Sequence, residues 1–326
     1  MERRVTREKL HAVVQEAYSL YKEDKSGKNA DYIPYLAKVD RNLFSIAVCL
    51  PCGEIIEAGD SSFRFGIESI SKVATALLVL KEYGADTIMD MIGSDATGMP
   101  FNSIMAILLE NDHPSTPLVN AGAISAVSMV RPVGDKKEKW KSIQHNLNEL
   151  CASELPLIEE LYNSESVTNH NNRAIAWLLK SYNRIYDEPD MSLDLYTRQC
   201  SLGITTSELA VFAGTIAGGG VNPITRKDVF PARLCEKIIS MMASVGFYER
   251  TGDWMFQTGV PAKTGVGGGI MGVIPGTLGI AAFSPPIDTA GNSVRAQKAI
   301  TYIAKELGFN TYAADKVVIE EKAIAY

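Results

Sequence analysis

Residues 68–72 read Glu68-Ser69-Ile70-Ser71-Lys72 and open an Ala/Leu-rich stretch that ends at Gly84. Ser69 and Lys72 stand three residues apart, so on a helix their side chains share one face. A hydroxyl needs a partner to take its proton before it attacks a carbonyl, and a partly buried lysine can be neutral enough to do so. The start of a helix adds free backbone N–H groups and the positive end of the macrodipole, both suited to an oxyanion. The same residues also read as a helix cap, made by Ser69 or Ser71, beside a surface lysine. Ser-x-x-Lys by itself does not separate these readings, and the plain one is the commoner.

A second stretch shifts the weight. Ala262-Lys263-Thr264-Gly265-Val266 precedes strand-like sequence near the C-terminus. Ser-x-x-Lys early and Lys-Thr-Gly late, with a helical region between, is the order seen in penicillin-recognising enzymes. Glycines here let an edge strand approach a substrate backbone closely. Gly267, Gly269 and Gly272 also match G-x-G-x-x-G. A dinucleotide site wants a helix after that motif, whereas a strand-like run to Ile274 follows.

Working outward, Leu10, Val13, Val14, Ala17, Leu20 and Tyr21 recur at helical spacing and predict an N-terminal amphipathic helix. Leu43 to Leu50, a turn, and Glu54 to Ala58 make a hairpin signature. Ile270 to Ile274, Pro275-Gly276 and Leu278 to Phe283 make a second one. A closing helix with Ile300, Ile303, Ala304 and Leu307 on one face then stops at Gly308. Between the hairpins the periodicity is helical, near Arg173 to Tyr182, Glu208 to Ala217 and Leu234 to Met242. Strands at both ends with helices between predict one sheet built from both termini and a helical insertion. The division expected is residues 1–66 plus 225–326 for the sheet domain and 67–224 for the insertion.

Composition removes whole classes of function. Lys and Arg number 32 against 38 Asp and Glu, a formal charge of -6, so no electrostatic footprint for nucleic acid or an anionic membrane is present. The lysines between Asp135 and Lys141 are interrupted by two acids and read as a solvated helix start. The longest dense apolar run, Ala74 to Leu80, is far short of the roughly 18 residues that span a bilayer. Met1-Glu2-Arg3-Arg4 leads into a charged helix, not an apolar export segment, which predicts a cytoplasmic protein. Cys49, Cys52, Cys151, Cys200 and Cys235 are odd in number, which argues against a disulfide framework. Cys49 and Cys52 form C-x-x-C, but Pro51-Cys52-Gly53 reads as a hairpin turn, not the helix start a redox pair needs.

Taken together, the chain resembles the bacterial-type glutaminases, serine-dependent enzymes on a serine β-lactamase-like fold. The segments that carry the likeness run in order along nearly the whole chain. They are Asp31-Tyr32-Ile33-Pro34, Ser69-Ile70-Ser71-Lys72, Val119-Asn120-Ala121-Gly122-Ala123, and Ser164-Glu165 with Asn172-Arg173-Ala174. Leu195-Tyr196 to Gln199-Cys200, Gly246-Phe247-Tyr248, Pro261 to Val266, and Ser284-Pro285-Pro286 to Gly291-Asn292-Ser293 complete the series.

The resemblance implies an α/β fold, mainly an antiparallel sheet with flanking helices and an inserted all-helical domain. It implies hydrolysis of L-glutamine to L-glutamate and ammonia, with no metal or cofactor, in a homodimer or homotetramer. Residue by residue, it implies Ser69 as nucleophile, Lys72 as its activating partner and Tyr248 as a second acid/base. The N–H groups of Ser69 and Val266 would hold the oxyanion, with Lys263 and Gly265 in support. Tyr32, Asn120, Glu165, Asn172 and Tyr196 match substrate-contacting positions.

Those residue types suit a zwitterion. Glu165 can meet the α-ammonium, while Asn120, Asn172 and tyrosine hydroxyls can meet the α-carboxylate. Each also has a plain reading, such as a core aromatic for Tyr32 and Tyr196 or a solvated loop acid for Glu165. Many family members carry Gln where this chain has Glu68, so which group is the first base stays open. Two rivals remain: a penicillin-binding or β-lactamase hydrolase with the same Ser–Lys pair, and a non-catalytic glutamine sensor.

Overall fold

The structure is a computed structural model that describes residues 2–110 and 112–320. Its strands, in chain order, are β1 (Glu2–Val5), β2 (Ser45–Cys49), β3 (Ile55–Gly59), β4 (Phe65–Gly66), β5 (Gly203–Ile204), β6 (Ala262–Thr264), β7 (Gly269–Ile274), β8 (Leu278–Phe283) and β9 (Lys316–Ile319). Five of them form the central sheet in the order β3-β2-β8-β7-β6, every neighbouring pair antiparallel. Both expected hairpins are present, β2–β3 and β7–β8, and they join through the pairing of β2 with β8 from the far end of the chain. Two small pairs flank the sheet, parallel β1–β9 and antiparallel β4–β5.

The sheet is covered on both faces, which is why its strands read as nearly continuous apolar runs. Alternation along each strand still divides the side chains. Ile46, Val48, Ile270, Ile280 and Ala282 face the terminal helices Arg7–Tyr21 and Val294–Leu307. Ala47, Cys49, Met271, Val273, Ala281 and Phe283 face the helical layer. Helix Thr206–Ala217 lies directly on that second face, although it falls inside the expected 67–224 insertion. The approach is close: a Cβ at Gly279 of β8 would sit 2.1 Å from the Gly214 backbone nitrogen.

Helix Ser71–Tyr83 runs through the middle of the helical layer with Val73, Ala74, Ala76, Leu77, Val79 and Leu80 buried. Two sequence expectations need correction. Ser69 is not on that helix but in the 3₁₀ turn Glu68–Ile70 that leads into it. The lysines after Asp135 are not all solvated: Asp135 caps helix Lys136–Cys151, but Lys139 is fully buried. Its ammonium pairs with Asp187 at 2.5 Å and donates to the Ser128 carbonyl at 2.7 Å. A seven-residue window of mixed charge reads as surface, and only the tertiary partner Asp187 makes the difference.

Candidate active site

Ser69 and Lys72 meet at the seam where the helical layer rests against β6. Lys72 is 1% exposed, and its Nζ donates to Ser69 Oγ at 2.9 Å and to Asn120 Oδ1 at 2.6 Å. The reading of Ser69 as a cap and Lys72 as a surface residue is thereby removed; the helix start has no side-chain cap, and Ser71 Oγ donates to the Glu68 carbonyl instead. Burial pushes the Lys72 ammonium down to about 8, opposed by the charges of Glu68 and Glu165. A lysine in that range exists partly as the free amine at neutral pH, able to accept a proton from Ser69.

Asn120 ties the pair to the substrate side. It stands at the start of helix Asn120–Met129 and donates to Asn172 Oδ1 at 2.8 Å, while the Tyr196 hydroxyl donates to its Oδ1 at 3.1 Å. The small residue at 122 has a steric cause. A Cβ there would fall 1.8 Å from the Thr116 carbonyl oxygen, so only glycine lets the 116–119 turn fold back under the helix. Asn172 lies in the first turn of helix His170–Ser181 and Glu165 on helix Glu159–Thr168, not in the polar loops their neighbours suggest.

A cavity of about 690 Å³ opens over Ser69. Asn120, Glu165, Asn172, Tyr196 and Val266 line it, and Tyr32, 54% exposed, stands at its mouth. Tyr248, Lys72, Lys263 and Gly265 are buried and do not line it. Tyr248 is 4% exposed, with φ at +54° and Ser69 beside its hydroxyl. Burial pushes that hydroxyl well above the ordinary tyrosine value, so it stays protonated at neutral pH. Lys263 Nζ sits 4.0 Å from the Tyr248 ring centroid and donates to the Thr264 carbonyl at 2.8 Å. Burial, then the nearby Lys72, holds Lys263 well below its usual value. Val266 follows β6 in a turn closed by the Gly265 N–H to the Gly269 carbonyl at 3.0 Å. Gly267 and Gly269 thus serve a strand-to-strand turn, with no helix after them.

All the expected residues therefore come together at one seam. Sequence reasoning missed two others. Phe101 packs against Tyr248 with ring centroids 4.8 Å apart, and no local pattern distinguishes it from any loop phenylalanine. Glu68, marked in the sequence only as a departure from the glutamine common in the family, lines the cavity with Glu165 and also bears on Lys72. Cys49 is buried and Cys52 exposed at the β2–β3 turn, and all five cysteines are free. Among the described residues, no group of three or more His, Cys, Asp or Glu is placed to hold a metal ion. Nor is any helix among them long and apolar enough to cross a membrane.

An antiparallel sheet carrying a buried Ser–Lys pair at its edge, beneath a helical layer, defines an amidohydrolase of the serine β-lactamase-like class. A family model described as Glutaminase matches residues 27–312. A glutaminase of Parabacteroides distasonis is 63% identical over 98% of this chain and 99% of its own length. A glutaminase of Bacteroides thetaiotaomicron is 64% identical with the same coverage, and one of Escherichia coli is 46% identical over 93% of this chain and 98% of its own. Among solved structures, a probable glutaminase superposes with a TM-score of 0.93 at 45% identity, covering 94% of this chain and 99% of that one. A probable glutaminase of Bacillus subtilis gives 0.83 at 29% identity, covering 92% and 96%. The chain belongs to the glutaminase family.

Proposed function

We propose that this chain hydrolyses L-glutamine to L-glutamate and ammonia by two acyl transfers at Ser69. The observation that carries the proposal is the buried Lys72 amine, 2.9 Å from Ser69 Oγ and pushed down to about 8. Lys72 takes the Ser69 proton as Oγ attacks the γ-carboxamide carbon. The backbone N–H groups of Ser69 and Val266 hold the oxyanion that forms. Tyr248, kept protonated by burial, gives its proton to the leaving nitrogen and recovers one from Lys72. Ammonia departs and a γ-glutamyl ester remains on Ser69. Water then attacks the ester, its proton passing to Lys72 and on to Ser69 Oγ as the acyl–oxygen bond breaks, and L-glutamate leaves. This order makes Lys72 the first base, because a tyrosine raised this far is an acid at neutral pH.

The cavity lining gives the substrate its orientation. Glu165 takes the α-ammonium, Asn120, Asn172 and the hydroxyls of Tyr32 and Tyr196 take the α-carboxylate, and Lys263 and Gly265 support the wall. The domain division belongs to the same proposal, at 66/67 and near 205, since helix Thr206–Ala217 rests on the sheet. We assign the protein to the cytoplasm and, as the family resemblance implies, to a homodimer or homotetramer.

Ammonia and glutamate release from L-glutamine, with Ser69→Ala and with asparagine as second substrate, tests the reading. Turnover that vanishes in Ser69→Ala is the expected result. Binding of glutamine without product in either protein would favour a sensor, and asparagine turned over as fast as glutamine would refute the pocket assignment.

A further inference from the structure

Glu68 is the buried acid that the mechanism above leaves unused. It is 3% exposed and holds φ at +51°, a left-handed conformation that is uncommon for a glutamate. The surroundings leave room for its side chain. A Cβ at Gly265 would stand 3.2 Å from Glu68 Cβ, one at Gly267 3.1 Å from its Cγ, and one at Gly66 3.4 Å from its Oε1. Three glycines thus clear a channel that leads the side chain to the cavity wall, where Glu165 also stands. One carboxyl oxygen of each residue is buried with no hydrogen-bond partner. Two buried carboxylates side by side repel, whereas one proton between them turns the repulsion into a hydrogen bond.

We propose that Glu68 and Glu165 work as one carboxyl pair, holding a shared proton in the ligand-free enzyme and releasing it to water when the substrate's α-ammonium takes its place. The proposal rests on the reading of Glu165 as the ammonium acceptor. Burial first, then the facing carboxylate, pushes Glu68 well above the usual carboxylate range, and burial raises Glu165 as well. Other groups face the pair from each packed element. Lys72 approaches from its helix and pulls both acids down, and Lys263 lies on β6 close to Lys72. Tyr196 and Cys200 on helix Pro189–Cys200, with Tyr248, are pushed upward by burial and stay neutral, and Tyr32 stands at the cavity mouth. β7 offers no titratable group, and Glu249 stands further out on the cavity lining.

The sign follows from competition between a proton and a cation. Below the pair's titration, ligand ammonium must displace the proton, so affinity rises with pH by up to about tenfold per unit and levels off above it. Binding of L-glutamate to the intact enzyme, measured by calorimetry between pH 5.5 and 8 in buffers of different ionisation heat, reads both the affinity and the protons released. Wild type is expected to release up to about one proton more per L-glutamate than Glu68→Gln does, and the variant's affinity should be nearly flat with pH. Glutarate, which lacks the ammonium, should release none of that proton from wild type. Equal release in wild type and Glu68→Gln overturns the pair. So does equal release by glutarate and L-glutamate, a comparison that needs no variant. Glu165→Gln binding L-glutamate as well as wild type would instead refute the ammonium reading, and the proposal with it.

Discussion

Replacing Lys72 by Arg keeps the positive charge and most of the volume but removes the ability to lose a proton. In the structure the amine is fully buried and its affinity for a proton falls from 10.5 to about 8. A drop of that size corresponds to about 3 kcal/mol of preference for the neutral form at 1.36 kcal/mol per unit. At pH 7 roughly one lysine in ten is then a free amine, against roughly one in 3,000 at the ordinary value. Because guanidinium does not deprotonate in proteins, Lys72→Arg forfeits this base entirely. The expected loss in kcat is about 1,000-fold or more. Affinity for L-glutamate should change by no more than about tenfold, since Glu165 and the asparagines remain. For wild type, kcat at saturating L-glutamine should rise about tenfold per pH unit from 5.5 and bend near pH 8. Saturation matters here, because the carboxyl pair acts on affinity and Lys72 on the chemical step. Ammonia release followed across pH 5.5 to 9.5 gives the profile. A kcat that is flat between pH 6 and 8, or a Lys72→Arg enzyme keeping more than a tenth of wild-type kcat, would refute the assignment of Lys72 as base.

Further substitutions test the scaffold around this pair. Gly122→Ala places a Cβ 1.8 Å from the Thr116 carbonyl oxygen and should cost about 3 kcal/mol or more in urea unfolding, with kcat falling as Asn120 shifts. Gly276→Ala in the β7–β8 turn, at φ +71° with open space around it, is the control and should cost about 1 kcal/mol. Lys139→Met leaves the nearly buried Asp187 carboxylate without its cation and should destabilise by about 3–5 kcal/mol. Adding Asp187→Leu should recover part of that loss; a double variant as unstable as the single one would show that packing, not the stranded charge, sets the cost.

The sheet was legible because its signals are local. β2, β3, β7 and β8 carry apolar runs bounded by Pro51-Cys52-Gly53 and Pro275-Gly276, and the terminal helices carry clean 3.6-residue stripes. The Ser69–Lys72 contact was legible for the same reason, since a three-residue spacing survives the change from helix to 3₁₀ turn. What escaped was non-local. Lys139 reads as solvated because the carboxylate that buries it, Asp187, is 48 positions away, and β1 pairs with β9 across the whole chain. The sequence placed Glu68 next to Ser69 and so next to Lys72. Only the fold, through the glycines at 66, 265 and 267, turns its side chain toward Glu165.

One cause runs through the chemistry of the seam. Closing the helical layer over β6 removes water from two lysines and two glutamates at once, and low dielectric disfavours every charged form. Lys72 and Lys263 are therefore driven down while Glu68 and Glu165 are driven up. Opposite residue types are thus both pushed toward their neutral forms in the ligand-free site, by easier loss of a proton on one side and its retention on the other. The base that catalysis needs and the proton that the carboxyl pair holds are then products of the same burial. A zwitterionic amino acid is the ligand such a site is poised to recognise, because its own ammonium can replace the proton that keeps the two acids together. A substitution that lets water into the seam, such as Phe101→Ala beside Tyr248, should accordingly move both titrations toward their ordinary values together, Lys72 upward and the carboxyl pair downward.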